Sequence, residues 1–421
     1  MTRILANLGA PFDFSIKTQP DHFRVTELRA APPSGEGEHL HLWVEKDSLS
    51  TDRAVRILGR ALGRPAQAFG VCGMKDRHAV TRQWISVQGA DPARLSELHS
   101  THLRVLEWAR DRAKLRRGGH AGNRFEVLLE GLDPARAQDL DAALRILAGQ
   151  GLPNYFGAQR YGHGAINVAL GRALCLGSNQ EYLRLYLSAR HLGPYEREAE
   201  LQAVLGSEDK GAWRQAAHGW QQLPREAQAL AKQMERRPLD VDSLLRTIPK
   251  AERRLHAHSL QSALFDLWLE ERMQAPQWPA PIEGDCVGFA GQRDTTWVED
   301  PNEPLPPGAR VLGPLFGGSM SVAHGAAHEL EQRVLAAAGF QASDFGRGAH
   351  GDLQGARRPM RAEVGELGAT WTPEGCWLTF QLPPGSYATA LLAQLSQDFS
   401  GSPLLEPRPE TQRTAQKTID P

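Results

Sequence analysis

Only four of the 421 residues are cysteine, and Cys72, Cys175, Cys286 and Cys376 stand far apart with no C-x-x-C pair. That excludes a zinc ribbon, offers no disulfide framework and suits a reducing cytoplasm. An excess of one charge sign is missing too. Lys and Arg number 48 against 49 Asp and Glu, a net charge of −1, so any polyanion site must be local. No apolar run approaches the roughly 18 residues of a membrane span, and the stretch from Met1 to Pro20 carries charges and two prolines where a secretory leader needs an apolar core. There is no Walker loop, no G-x-G-x-x-G after a strand and no H-E-x-x-H. His328-Glu329 lacks its second histidine, and Gly317-Gly318-Ser319-Met320-Ser321 breaks the nucleophile-elbow pattern at its last position. Nucleotide hydrolysis, dinucleotide redox chemistry and zinc proteolysis thereby lose their usual support.

What is present is a folded chain of two to three domains by length, at roughly 150 residues each, with 41% hydrophobic and 23% charged residues. Phe23 to Leu28 and Glu38 to Lys46 read as strands; in the second, Leu40, Leu42 and Val44 alternate with His39, His41 and Trp43. Thr51 or Asp52 can cap a helix carrying Val55, Leu58, Ala61 and Leu62. Phe69 to Cys72, Trp84 to Gln88, Leu103 to Trp108 and Phe125 to Leu129 are further strands, giving an α+β pattern. From about Asp133 the texture turns helical, with Leu260, Ala263, Leu264, Leu267 and Trp268 on one predicted helix face. Strand-like alternation returns at Trp377 to Leu382, and Ser386 opens a last helix. Strands at both ends with helices between suggest one domain inserted into another, and the polar stretch 401–421 reads as a flexible tail.

Three segments carry candidate chemistry. Gly73 to Trp84 sets Asp76 between Lys75 and Arg77 in a glycine-entered turn, where opposite charges favour the ionised carboxylate. Spacing alone leaves open a standing anion, a turn cap or a surface ion pair. Arg110, Arg112, Lys114, Arg116, Arg117 and Arg124, opposed only by Asp111, give a local charge of +5 and a phosphate-binding candidate or a solvated charge run. This run leads into Asn123-Arg124-Phe125, an amide able to read a base edge two residues from a ring able to stack. Pro153 to Gly162 adds Tyr155, Phe156, Arg160 and Tyr161, an RNA surface or interdomain packing. The pairs His39/His41 and His256/His258 read as ordinary surface or half-buried histidines, not as metal ligands.

G-x-K-D-R-x-A-x-T-x-Q at Gly73 to Gln83, N-Y-F-G-x-Q-R-[FY]-G at Asn154 to Gly162 and P-x-G-S-[FY]-A-T at Pro383 to Thr389 together resemble the TruD family of tRNA pseudouridine synthases. Weaker echoes extend the likeness over about Lys17 to Leu395. The resemblance implies a pseudouridine-synthase catalytic domain with a mixed, largely antiparallel sheet, built from 1–154 and 363–400. A more helical TruD-specific domain at 155–362 would be the insertion. Position by position, Asp76 matches the catalytic aspartate, while Phe23, Asn123 and Phe125 match residues around the target base. Tyr387 takes a Phe position of the substrate pocket. Lys75, Arg77, Lys114, Arg116, Arg117 and Arg160 are phosphate or tRNA-binding candidates. An Arg-Glu pair often found after the last motif is replaced by Ala393 and Gln394.

The implied activity is isomerisation of uridine, with position 13 of tRNA the expected target, in a cytoplasmic enzyme. It breaks one bond and makes another without net redox change, so no cofactor and no metal are expected. The expected partner is tRNA, with no membrane and no protein partner, and the chain acting as a monomer. Two other readings stand beside it: a noncatalytic tRNA-binding or folding protein on the same scaffold, and a metal-dependent RNA hydrolase, for which no ligand cluster is evident.

Overall fold

The computed structural model describes residues 4–5, 9–193, 198–205, 224–236, 241–274, 278–289, 294–345 and 353–396; the expected tail at 401–421 lies outside them. In chain order the strands are β1 (Phe23–Arg29), β2 (His39–Asp47), β3 (Phe69–Val71), β4 (Val80–Gln88), β5 (Leu103–Asp111), β6 (His120–Leu129), β7 (Leu152–Pro153), β8 (Cys286–Phe289), β9 (Thr296–Trp297), β10 (Ala309–Leu315), β11 (Ala356–Pro359), β12 (Arg361–Ala362), β13 (Gly365–Thr372) and β14 (Gly375–Leu382). The chain divides into two compact units. One is formed by the described residues within 155–360, the other by those within 3–154 and 361–399.

The discontinuous unit is built on one sheet, ordered β13-β14-β6-β1-β4-β2-β5, with β3 added beside β4. Only β1 and β4 run parallel; the other neighbours are antiparallel. The alternation read in β2 sets the core: Leu40, Leu42 and Val44 share a face with Ile85 and Val87 and pack on Ala54, Leu58 and Leu62 of the helix Thr51–Leu62. The opposite face is buried as well, with His39 and His41 inside and Trp43 against Trp84 at 5.2 Å.

That helix is capped one residue earlier than the sequence suggests. Ser50 accepts a hydrogen bond from Arg53 N (3.3 Å), and Gly63 closes the helix at φ 61°, a left-handed conformation that favours glycine. Thr51, freed from capping, holds the neighbouring turn instead. The strand-like C-terminal alternation folds as β14, which pairs with β6 along its length and completes the sheet. The last helix is Ala388–Leu395, starting after Tyr387 and so two residues beyond Ser386.

The other unit is less purely helical than its composition suggests. The antiparallel sheet β11-β10-β8-β9 packs against the helix Lys250–Gln274. Strands this short, interrupted by Gly288, Gly313 and Pro314, leave little periodic signal. Lys250–Gln274 is buried around most of its circumference from His256 to Met273 and not on one stripe, because β10 and the helix Ile166–Cys175 both pack on it. Gly313 is required there: a Cβ would stand 2.3 Å from the Trp268 ring. No helix among the described residues is long and apolar enough to cross a membrane.

Candidate active site

The segment joining β3 to β4 is held by side chains from three directions. Thr51 Oγ1 accepts from Lys75 N (3.0 Å) and donates to Gln83 Oε1 (3.0 Å), and Gln83 Nε2 donates to Gly73 O (3.1 Å). Lys46 Nζ, fully buried at the end of β2, donates to Asp76 O (2.8 Å) and Leu49 O (2.5 Å). Burial pushes the Lys46 ammonium down to about 8, with the Asp76 charge acting against the fall. These tethers fix the backbone at Asp76 and leave its carboxylate half-buried.

The carboxylate accepts a hydrogen bond from Lys17 Nζ at 2.5 Å, and the same ammonium lies 3.9 Å from the centre of the Phe23 ring. Lys17 has φ 57°, uncommon for a residue with a Cβ, and its carbonyl lies 3.0 Å from His78 Nε2. Sequence reasoning assigned the electrostatic support of Asp76 to Lys75 and Arg77. The partner is Lys17, 59 residues away in the chain, a separation that leaves no local signal.

Lys75 turns away from solvent. Its Nζ pairs with Glu27 Oε2 at 2.8 Å, with only 5% and 1% of the two side chains exposed. Glu27 Oε1 also accepts from Trp84 N at 3.2 Å. Expected at the phosphate surface, Lys75 is instead inside the protein, bound to a carboxylate that the sequence reading did not single out. Arg77 is exposed.

One sheet face gathers the remaining aromatic and amide candidates. Register pairs Phe125 with Val25 on β1 and Phe380 on β14, and Asn123 with Glu27 and Leu382. Phe125 stacks on Phe380 with centres 5.0 Å apart and meets Phe23 edge-on at 6.2 Å. Asn123 Nδ2 lies 3.3 Å from His120 Nε2 at the start of β6. Burial, helped by the Lys75 charge, pushes the His120 imidazole down to about 4. Tyr387, half-buried, follows β14 and precedes Ala388–Leu395, and the adjacent Ser386 Oγ donates to Asn154 Oδ1 at 3.0 Å. Where an Arg-Glu pair was expected, Ala393 and Gln394 are wholly buried, and Gln394 Oε1 accepts from Ile4 N at 2.9 Å.

The basic run is partly neutralised. Arg112 pairs with Glu36, Arg124 lies 3.7 Å from Glu366, Asp111 pairs with Arg29, and Lys114 Nζ donates to Gln67 O at 2.6 Å. Arg116 and Arg117 remain exposed, in the turn before β6.

In the other unit the aromatic loop is interior packing. Tyr155, Phe156 and Tyr161 are buried; Tyr161 Oη and Phe156 N both donate to Asp266, which is wholly buried and whose carboxyl burial pushes up to about 7. The Arg160 guanidinium lies 5.9 Å from the Phe156 ring centre, and the backbone carbonyl of Arg160 accepts from Ser259 Oγ at 2.8 Å. These rings are not free to stack on bases. His191, Glu252 and His256 place donor atoms within 4.8 Å of one another. Tyr182 Oη at 2.7 Å from His256 Nδ1 and Tyr186 Oη donating to Glu252 at 3.2 Å already tie that cluster into the aromatic core.

The sequence model of the family described as "tRNA pseudouridine synthase D (TruD)" matches residues 4–395. A tRNA pseudouridine synthase D of Anaeromyxobacter sp. (strain Fw109-5) is 36% identical over 388 residues, covering 90% of this chain and 92% of its own. A protein of the same name from Thermus thermophilus is 32% identical over 415 residues, covering 97% and 95%. A crystal structure of a Methanosarcina mazei protein described as a TruD superimposes with a TM-score of 0.71 over 93% of this chain and 97% of its own, at 23% identity, a likeness of fold.

Proposed function

The chain belongs to the TruD family of tRNA pseudouridine synthases, and from that premise we propose that it isomerises uridine 13 of tRNA in the cytoplasm, with Asp76 as the catalytic group. The discontinuous sheet unit is the catalytic domain in this reading, and the unit within 155–360 the inserted TruD-specific domain. The observation that carries the assignment is the Asp76 carboxylate, half-exposed on a backbone anchored by Lys46 and salt-bridged to Lys17 beside the Phe23 ring.

The reaction breaks the bond from uracil N1 to the sugar C1′, turns the base and joins C5 to C1′. The proton on C5 leaves and N1 gains one, so no oxidant or energy source is needed. The Asp76 carboxylate serves as nucleophile, or as base on the sugar, and the Lys17 ammonium hydrogen-bonds to it. The target nucleotide leaves its stack to be reached. The half-buried Tyr387 then offers a ring against which the detached uracil turns without escaping, Phe23 and Phe125 are buried and back the site from within, and Asn123 reads the edge of the base. A scaffold used only to bind tRNA has no need of an anion facing a polyanionic ligand.

Mapping pseudouridine in total tRNA from cells with and without this protein tests activity and position together. A pseudouridine at position 13 that disappears with the protein is expected; an unchanged map would sink the proposal. Arg116 and Arg117 are the best placed cations for the phosphate backbone. Replacing both with Gln is expected to weaken tRNA binding and to reduce the slope of log affinity against log salt by roughly one to two, since each phosphate contact releases about one counterion. An unchanged slope in a binding titration would return the turn to a solvated surface.

A further inference from the structure

Within the unit 155–360, Glu252 and His256 stand four residues apart on the helix Lys250–Gln274, so their side chains lie one above the other on a single face. His191, on the short helix Ala189–Leu192, meets that face: its Nε2 is 3.9 Å from Glu252 Oε1, and its ring crosses the His256 ring with centres 5.6 Å apart. One donor atom from each of the three lies within 4.8 Å of the others. The sequence offers His258 as the companion of His256, but His258 is exposed, and the residue sharing its face is Glu252, one turn earlier. The two tyrosine contacts orient these side chains without exhausting them. Tyr186 Oη donates to Glu252 Oε2 and leaves Oε1. Tyr182 Oη meets His256 Nδ1, and because a phenol both donates and accepts, the tautomer protonated on Nδ1 keeps that contact and leaves Nε2 a lone pair. Burial holds both imidazoles below the ordinary histidine range, so near pH 7 they stand in the neutral form that ligates metals.

We propose that His191, Glu252 and His256 bind one zinc(II) ion, with water in the fourth position, and that the ion clips the helix Ala189–Leu192 to the helix Lys250–Gln274. Two imidazoles and one carboxylate are a donor set that suits zinc. A tetrahedral ion at zinc's usual bond lengths needs its donors about 3.4 Å apart. The remaining closure falls to His191 and Glu252, whose side chains are 15% and 29% exposed and can both turn and admit an ion from solvent. Tyr182 and Tyr186 belong to the buried core of this unit, so an ion held beside them adds to its stability. The isomerisation proposed above needs no metal, and the site is separate from that chemistry.

The test uses the full-length protein, dialysed against a chelator and then titrated with zinc chloride in a calorimeter. One equivalent is expected to bind, and with free zinc at about a hundred times its dissociation constant the unfolding midpoint is expected to rise by roughly 5–10 °C. Cobalt(II) in place of zinc is expected to show the visible absorption of a four-coordinate ion. His191→Ala removes one ligand from a partly exposed position and is expected to weaken zinc binding by roughly tenfold or more and to abolish the cobalt spectrum. Glu252→Gln keeps an oxygen for Tyr186 but ligates poorly; the same losses are expected of it, and it carries the test should His191→Ala not fold. Absence of zinc binding by the wild type overturns the proposal. So do a zinc affinity and a cobalt spectrum unchanged in the variants, which would put the ion at an adventitious site elsewhere on the chain. No tRNA enters these measurements, so their outcome is independent of the synthase reading.

Discussion

Replacing Asp76 with asparagine is expected to abolish isomerisation, by a factor on the order of 10⁴ or more, as for the loss of other essential nucleophiles, while tRNA binding survives or tightens. Asparagine keeps the shape and an oxygen for Lys17, and removes only the charge. The loop should stay in place, because the contacts that hold it run to backbone atoms: Lys46 to Asp76 O, Thr51 to Lys75 N and Gln83 to Gly73 O. Removing one negative charge also lowers repulsion toward phosphate. Single-turnover tritium release from uridine labelled at C5, with enzyme in excess, measures the chemical step apart from binding. Substantial release by Asp76→Asn would remove Asp76 from the catalytic role.

The second large effect is on stability. Lys75 and Glu27 form an ion pair with almost no solvent access. Removing one partner leaves the other charge buried and uncompensated, which typically costs about 3–5 kcal/mol. Lys75→Met is therefore expected to lower the midpoint of thermal unfolding by roughly 6–20 °C for a unit of this size. Combining Glu27→Gln with Lys75→Met removes both charges and should recover most of that loss. Circular dichroism melts of the two single variants and the double variant measure it. A Lys75→Met protein that melts like the wild type but binds tRNA poorly would place Lys75 on the phosphate surface after all.

Much of the sheet could be read in advance because its strands advertise themselves. Leu40, Leu42 and Val44 alternate cleanly since one face of β2 meets a helix, and period-two patterning survives whatever lies next to it. The Asp76 turn was legible for a similar reason, a compact motif entered by glycine. What could not be read were partners brought in from a distance. Lys17 is an isolated lysine in an irregular stretch, and Glu27 sits among ordinary strand residues; nothing local marks either as the counter-charge of Asp76 or Lys75. The basic run was overcounted for the same reason, since charge arithmetic along the chain does not see Glu36 or Glu366 folding against Arg112 and Arg124. Tyr155, Phe156 and Tyr161 show the converse error. An aromatic loop with an arginine has the composition of an RNA-binding surface, yet buried Asp266 draws it inward through Tyr161 Oη and Phe156 N.

The pairing of β6 with β14 has a consequence during synthesis. Phe125 of β6 and Phe380 of β14, paired in the finished sheet unit, are roughly 250 residues apart in the chain, so at ribosomal rates of about 5–20 residues per second β6 waits roughly 10–50 s for its outer neighbour. Through that interval β6 presents an unpaired edge, including Phe125 without Phe380, and an unpaired strand is a template for the wrong chain. The unit within 155–360 is synthesised during that interval. Nascent chains arrested before β13 should accordingly engage chaperones and lack activity, however well their first six strands are formed.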